Sequence, residues 1–229
     1  MSHPAFQDIG ACVFDAYGTL FDVHSAARRA SDALGDKAAG VSAVWRDKQL
    51  QYTWLRSLMG SHADFWQVTG EALDFALAAH GIEDQALRGR LMELYLSLEA
   101  YPDVVPALSR LRAAGRQTAI LSNGSPAMLD AAVESAGLNA ILDASLSIEE
   151  VGIYKPDSRV YQLAVDRLGV EAARICFVST NCWDAHGAAH FGFTVAWMNR
   201  FGQQDERLPG APAAIMQGLD ALPGLLGIG

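Results

Sequence analysis

The chain has 229 residues, of which 51% are hydrophobic, and its formal net charge at pH 7 is −9. A chain of this length can form one large domain or a core with a smaller insert, and its acidic balance argues against nucleic acid or an anionic membrane as a partner. The three cysteines form no CxxC pair, and the N-terminus has neither the basic segment nor the apolar run of a signal peptide, so we expect a cytoplasmic protein.

The first predicted element is a buried strand, and a helical block follows it. The run ACVFD at 11–15 is apolar up to its final carboxylate. The segments after it have helical periodicity with no strand between them, at 41–59, 63–81 and 85–98. We therefore expect residues 20–100 to form an inserted α-helical cap, and residues 1–19 and 101–229 to form the core.

From Tyr101-Pro102 onward the sequence alternates between strand and helix patterns. Apolar runs predict strands at 117–124, 174–180 and 193–198, and helical patterns lie at 104–115, 126–138 and 156–170. In the first of these helices, the buried face is expected to carry Val105, Leu108 and Leu111. The tail from 208 onward predicts one short helix. This alternation predicts an α/β fold with a Rossmann-like, doubly wound parallel sheet.

Polar side chains follow several of the predicted strands. They include Asp15, Tyr17, Thr19, Ser122, Asn123, Ser179, Asn181 and Asp184, with Lys155 just before a helix. Because the carboxyl ends of parallel strands share one edge of a sheet, we expect these residues to converge there. Each also has an ordinary interpretation taken alone: a turn, a helix cap, a solvated loop lysine or a charge at a helix N-terminus.

Four ordered motifs, FDAYGTLFD, LSNGS, YKPD and VSTNCWD, resemble those of the haloacid dehalogenase superfamily. More narrowly, the chain is similar to L-2-haloacid dehalogenases in DAYGTLFDVHS, WRDKQLQYTWLRSLM, YKPDSRVYQLA and FVSTNCWDAHGA. The resemblance covers nearly the whole chain. It implies a Rossmann-like core with a helical cap, a homodimer, and hydrolysis of L-2-haloalkanoic acids to D-2-hydroxyalkanoic acids and halide.

The resemblance assigns the chemistry to the residues at the strand ends. Asp15 is the nucleophile and forms an ester with the substrate, Lys155 keeps it ionised, and its carboxylate is held by Thr19, Ser179 and Asn181. Asp184 assists the hydrolytic water. Tyr17 stands where superfamily phosphatases have a second aspartate that protonates a leaving alcohol, and a halide needs no such proton. No metal or other cofactor is implied, because positive side chains can balance a carboxylic substrate.

The resemblance also predicts the substrate-binding residues. Arg46 would reach the halide or the substrate anion from the cap, and the substrate carboxylate would bind Ser122 and the backbone N–H of Asn123. Tyr161 belongs to the same site, and the alkyl group would be walled by Tyr17, Leu50, Phe65 and Trp183. Without the resemblance, Arg46 is equally an arginine extending to water from an apolar helix stripe, and the wall residues are ordinary core.

Two positions depart from the family pattern, and two other functions stay open. Asp47 follows Arg46 where the family favours an uncharged glutamine, and His186 stands where a small hydroxyl residue is common. A magnesium-dependent small-molecule phosphatase is the first alternative, and Tyr17 argues against it. A non-catalytic binding protein is the second, and the presence of Asp15, Arg46, Lys155 and Asp184 together argues against it.

Overall fold

The computed structural model describes residues 3–229 and contains one six-stranded parallel sheet. The strand order is β3-β2-β1-β4-β5-β6, with β1 (Ala11–Phe14), β2 (Gln117–Ser122), β3 (Ala144–Ser147), β4 (Ile175–Ser179), β5 (Thr194–Met198) and β6 (Ala214–Met216). This is the doubly wound order. From β1 the strands are added outward on one side, as β2 and β3, and then outward on the other side, as β4, β5 and β6. The predicted Rossmann-like sheet is confirmed.

The two central strands are buried along their whole length. All residues of β1 and β4 are buried, since helices cover both faces of the sheet. The covering helices are α6 (Val104–Ala113), α7 (Pro126–Ser135), α8 (Ser158–Leu168) and α9 (Cys182–Phe191). β1 pairs with β2 on one side and β4 on the other, so its carboxyl end lies at the middle of the sheet edge.

Five helices form an insertion between β1 and α6. They are α1 (Ser25–Arg29), α2 (Ser31–Leu34), α3 (Ala38–Met59), α4 (Phe65–Ala79) and α5 (Gln85–Leu96). The chain leaves and rejoins the core at one place, because Phe21 forms isolated β-bridges with both Tyr17 and Ala100. The predicted helical insertion is thus confirmed as part of the fold class. None of the helices in residues 3–229 is long and apolar enough to cross a membrane.

The structure corrects several expectations about individual elements. Strands β3 and β6, at the two edges of the sheet, were not predicted, because they are short and only partly buried and so lack a continuous apolar run. The short helices α1 and α2 were also missed. The tail is not a single helix, since β6 precedes a 3-10 turn and α10 (Leu222–Leu225). In α6 the buried row is Val104, Ala107, Leu108 and Leu111, whereas Val105 lies off that row and is 40% exposed.

Candidate active site

Asp15 lies directly beyond β1, at the centre of the sheet edge. Its backbone N–H donates to the carbonyl of Val178. This hydrogen bond continues the pairing of β1 with β4 and fixes the backbone from which the Asp15 side chain extends. Oδ2 accepts hydrogen bonds from Asn181 Nδ2 at 2.8 Å, Thr19 Oγ1 at 3.0 Å and Ser179 Oγ at 3.5 Å. Oδ1 has one partner, the ammonium of Lys155. One carboxylate oxygen is therefore surrounded by donors, while the other retains acceptor capacity.

The Lys155 ammonium lies between two carboxylates. Its Nζ is 3.2 Å from Asp15 Oδ1 and 2.8 Å from Asp184 Oδ2, and all three side chains are buried. Burial lowers the pKa of Lys155, but the two carboxylates outweigh it and hold that pKa above its ordinary value. Lys155 is thus a cation, and it forms ion pairs with both the Asp15 and the Asp184 carboxylates.

Asp184 is on the first turn of α9 and is completely buried. Burial raises the pKa of Asp184, and Lys155 opposes the rise. Its Oδ1 accepts a hydrogen bond from Tyr161 OH at 2.8 Å. Burial also keeps the pKa of Tyr161 well above its usual range, so this phenol stays protonated and donates. Tyr161 lies behind Asp184 and does not line the cavity next to Asp15, which corrects the expectation that it contacts the substrate.

Arg46 of α3 extends towards the sheet edge and not into solvent. Its Nη2 donates to Asn181 Oδ1 at 3.1 Å and to the Tyr17 carbonyl at 3.3 Å, and its Nη1 donates to Gln49 Oε1 at 2.7 Å. Asn181 therefore contacts both Arg46 and Asp15, through opposite ends of its amide. The inserted helices thus place a half-buried guanidinium beside the Asp15 carboxylate.

Sequence reasoning missed the polar network that supports Arg46 from within the helical insert. Gln49 Nε2 donates to Thr69 Oγ1 at 2.8 Å and to Tyr95 OH at 3.0 Å, and all three side chains are buried. A glutamine three residues after Arg46, on the same helix face, was the available signal for Gln49. Nothing in the local sequence marks Thr69 or Tyr95.

A small cavity lies between the strand ends and the insert. It is lined by Asp15, Tyr17, Arg46, Leu50, Phe65, Ser122, Asn123, Asn181 and Trp183. Every one of these residues was predicted for the site from the sequence. The cavity combines a carboxylate, a guanidinium and a mainly apolar wall. Two buried donors of the wall, Tyr17 OH and Trp183 Nε1, have no hydrogen-bond partner in the described part of the chain.

The loop after β2 is shaped around Tyr17. A Cβ on Gly124 would lie 2.6 Å from Tyr17 Cε2, so only glycine allows the ring this close. Ser122 Oγ accepts a hydrogen bond from the Gly124 N–H, which leaves its hydroxyl hydrogen free to donate. Asn123 Oδ1 accepts from the backbone N–H of Lys155. The side chains of Ser122 and Asn123 thereby brace the loop at the cavity wall.

The two departures from the family pattern lie away from the cavity. Asp47 is exposed and lines an outer groove, so its carboxylate does not face the cavity. His186 is on α9 and pairs with Asp205 of the loop 199–213, with Nε2 to Oδ1 at 2.9 Å. Neither residue brings a new charge to the wall near Asp15.

Comparisons with known proteins agree with this geometry. Residues 9–192 match the model of a hydrolase family described as haloacid dehalogenase-like hydrolases. The chain is 52% identical over 201 residues to (S)-2-haloacid dehalogenase 4A of Burkholderia cepacia, covering 87% of each chain. It is 48% identical over 219 residues to (S)-2-haloacid dehalogenase 1 of Pseudomonas sp. (strain CBS-3), covering 95% of this chain and 96% of the relative.

A solved structure of L-2-haloacid dehalogenase from Xanthobacter autotrophicus, with chloropropionic acid covalently bound, superposes with a TM-score of 0.90 at 39% identity. The alignment covers 96% of this chain and 98% of that one. The chain therefore belongs to the haloacid dehalogenase-like hydrolases and, within them, to the (S)-2-haloacid dehalogenase family.

Proposed function

We propose that the protein hydrolyses L-2-haloalkanoic acids to D-2-hydroxyalkanoic acids and halide, through an ester on Asp15. The observation that carries this proposal is the small cavity in which the Asp15 carboxylate faces apolar side chains and the Arg46 guanidinium. An ionised carboxylate in such a place is a nucleophile for an alkyl carbon that bears a leaving anion. The relative with covalently bound chloropropionic acid supports the same chemistry.

In the first step Oδ1 of Asp15 attacks the α-carbon. This oxygen has only Lys155 as a partner and keeps a lone pair, whereas Oδ2 accepts three hydrogen bonds. A carbon–oxygen bond forms as the carbon–halogen bond breaks, and the halide leaves with the bonding electron pair. Arg46 stabilises the developing negative charge of the halide. Attack from the face opposite the halogen inverts the α-carbon once.

In the second step water attacks the ester carbonyl and not the α-carbon. The carbonyl oxygen of the ester is Oδ2, so the tetrahedral intermediate places its negative charge on the atom already surrounded by Thr19, Ser179 and Asn181. Asp184 accepts a proton from the water and returns it to the departing alkoxide. The cycle consumes one water and releases the hydroxy acid, one halide and one proton.

The cavity wall orients the substrate. Ser122, with its hydroxyl hydrogen free, and the backbone N–H of Asn123 bind the substrate carboxylate. The alkyl group contacts Tyr17, Leu50, Phe65 and Trp183. Since the carboxylate, halogen and alkyl positions are held by different walls, one enantiomer fits with its halogen opposite Asp15. We also propose residues 20–100 as the cap and residues 1–19 and 101–229 as the catalytic core.

The residues present do not fit the magnesium site of a superfamily phosphatase. The Lys155 ammonium lies against both Asp15 and Asp184, in the position that a cation shared by the two carboxylates would take. We therefore derive no step through a metal. Phosphate release from phosphate monoesters, dependent on magnesium, would instead support the phosphatase alternative.

We further propose a homodimer, which the apolar end of α3 supports. Leu58 is 85% exposed and Met59 is 73% exposed there. Light scattering on the purified chain should give twice the monomer mass, and Leu58→Glu should reduce it to the monomer mass. A monomeric wild-type protein at the concentrations used for assays would contradict this proposal.

The test of the function is a halide-release assay with both enantiomers of 2-chloropropionate, in the presence and absence of a chelator. We expect chloride and D-lactate from the L-enantiomer, little turnover of the D-enantiomer, and no effect of the chelator. Racemic lactate from pure L-substrate would contradict the single displacement. Ligand binding without any halide release would indicate the non-catalytic alternative.

A further inference from the structure

A second cluster of reactive side chains lies on α9 outside the cavity. Cys182 and His186 are four residues apart on one face of this helix, and Asp205 of the loop 199–213 lies over them. Asp205 Oδ1 is 2.9 Å from His186 Nε2 and 3.5 Å from Cys182 Sγ. The sequence alone does not reveal this cluster, because the third member lies 19 residues after His186 and only the folded loop brings it there.

The three side chains offer one sulfur, one nitrogen and one oxygen at a common point. These atoms all lie within 4.8 Å of one another. Ligand atoms of a tetrahedral zinc ion lie about 3.3–3.6 Å apart, as the usual zinc–ligand distances require. The observed nitrogen–oxygen and sulfur–oxygen separations need changes of only a few tenths of an ångström. Thiolate and imidazole ligands favour Zn²⁺, Cd²⁺ or Co²⁺ over Mg²⁺ or Ca²⁺.

The cluster is built from fixed parts. Cys182 and His186 are 6% and 4% exposed, whereas Asp205 is on the solvent side. The loop is also pressed onto α9 at Gly210, where a Cβ would lie 2.6 Å from the His186 carbonyl. Two of the three ligands are therefore held by the helix and the loop backbone before a cation binds.

The cluster adjoins a groove that shares part of its wall with the cavity. An outer groove is lined by Cys182, Gln203, Gln204 and Glu206, and it shares Arg46, Leu50, Asn181 and Trp183 with the cavity wall. A substrate that enters through this groove passes the loop 199–213. A cation bound between the loop and α9 would hold the loop in place beside the shared wall.

We propose that Cys182, His186 and Asp205 form a binding site for one thiophilic divalent cation, and that the bound cation slows haloacid hydrolysis by fixing the loop 199–213. On binding, Cys182 loses its thiol proton to solvent, and a neutral His186 coordinates through Nε2. Water completes the tetrahedral ligand set. The inhibitory part rests on the proposed dehalogenase function, whereas the binding part does not.

The binding test uses the full-length, chelator-treated protein with Co²⁺ and Zn²⁺ and no substrate. We expect one Co²⁺ per chain, with a thiolate charge-transfer band in the near ultraviolet, and displacement of the band by Zn²⁺. Cys182→Ser should abolish the band, and His186→Ser and Asp205→Asn should weaken binding by about 10–100-fold. His190→Ser is the matched control, because His190 is exposed one turn further along α9, and it should bind as wild type.

The loop provides a readout that is independent of turnover. Arg207 is exposed within it, so trypsin should cut after Arg207 in the metal-free protein and more slowly when Zn²⁺ is bound. Zn²⁺ should lower kcat/KM for L-2-chloropropionate in wild type and in His190→Ser, but not in Cys182→Ser. Binding that survives both Cys182→Ser and His186→Ser would overturn the site. Binding with unchanged proteolysis and turnover would overturn the inhibitory role.

Discussion

The two halves of the proposed active site hold their charges in different ways. At the sheet edge, Asp15, Lys155 and Asp184 are fully buried, and each charge has an opposite charge within 3.2 Å. In the helical insert, Arg46 is half-buried and is held by neutral partners, among them Gln49 and Asn181. The buried carboxylates are thus paired within the core. In the described residues 3–229 the guanidinium donates its hydrogen bonds to neutral oxygens and forms no salt bridge, so it is available to an anion.

This difference suits the two tasks. A nucleophile has to be ionised and oriented before the substrate arrives, and strands and an ion pair accomplish both. A group that binds a departing halide has to gain its charge partner only during the reaction, so a carboxylate in a salt bridge with Arg46 would weaken its binding of the halide.

Asp15→Asn should lower turnover by more than about 10⁴-fold, the scale found when a covalent nucleophile is removed. A neutral amide is a far weaker nucleophile at an alkyl carbon. Halide release measures the loss, and circular dichroism checks that the variant is folded. Turnover within tenfold of wild type would show that Asp15 is not the nucleophile.

An isotope experiment sharpens the same prediction. With enzyme in excess in heavy-oxygen water, a single turnover should leave the hydroxy acid unlabelled and make the peptide containing Asp15 heavier. This follows because water cuts the acyl–oxygen bond of the ester. Label found in the product on the first turnover would mean that water attacks the α-carbon, with Asp15 acting only as a base.

Asp184→Asn should slow the second step more than the first, by about 10²–10⁴-fold, since a general base is lost. The ester should then accumulate and appear as a mass increase on the Asp15 peptide after mixing with L-2-chloropropionate. Tyr161→Phe is the companion variant, because it removes only the hydrogen bond to Asp184 and should have a smaller effect of the same kind. Slow turnover without ester would place Asp184 in the first step.

Arg46→Ala and Arg46→Lys should both lower kcat by about 10²–10³-fold, as the loss of one preorganised charge does elsewhere. An ammonium does not replace the planar guanidinium that contacts Asn181, Tyr17 and Gln49 together. Lys48→Ala, a neighbouring change outside the cavity, is the control and should keep full activity. Normal turnover by the alanine variant would show that Arg46 takes no part in the reaction and is an ordinary surface arginine.

Gln49→Leu should lower kcat by about tenfold through misplacement of Arg46, and Tyr95→Phe by less, because it removes a single neutral hydroxyl. Inhibition by product chloride should weaken in parallel, which loss of stability alone would not cause. A lower melting temperature with unchanged kcat and chloride inhibition would assign these residues to packing only.

The smallest effect concerns His186. Burial lowers the pKa of His186, but the hydrogen bond and the charge of Asp205, together with nearby backbone groups, outweigh it, so the pKa lies above its ordinary 6.5. The His186–Asp205 pair therefore stabilises the folded state fully at pH values below 6.5, and this stabilisation is lost as the pH rises through the raised pKa of His186. In the presence of chelator, the urea midpoint should fall slightly as the pH rises above the ordinary pKa of 6.5, and His186→Ser should remove that part of the fall. An identical pH profile in the variant would contradict the pairing.

Much of the proposed site followed from the sequence by itself. Asp15, Ser122 and Ser179 were placed together because each ends an apolar run, and parallel strands end at one edge. The order of strands and helices indicated the doubly wound sheet for the same local reason. The family motifs added Arg46, and they gave Lys155 its role beside Asp15. The short edge strands β3 and β6 escaped prediction, since strands half open to solvent have little apolar pattern of their own.

Only the tertiary structure decided which side chains reach one another across the chain. Gln49 donates a hydrogen bond to Tyr95, although the two residues are 46 positions apart in the sequence and no periodicity relates them. Tyr161 was expected at the substrate, yet the packing of α8 against α9 sets its hydroxyl behind Asp184. Asp205 lies in a loop without regular structure, and only the close approach of Gly210 to α9 carries it over Cys182 and His186. Local sequence encodes where a strand ends, but the partners of a buried polar group depend on how distant elements pack.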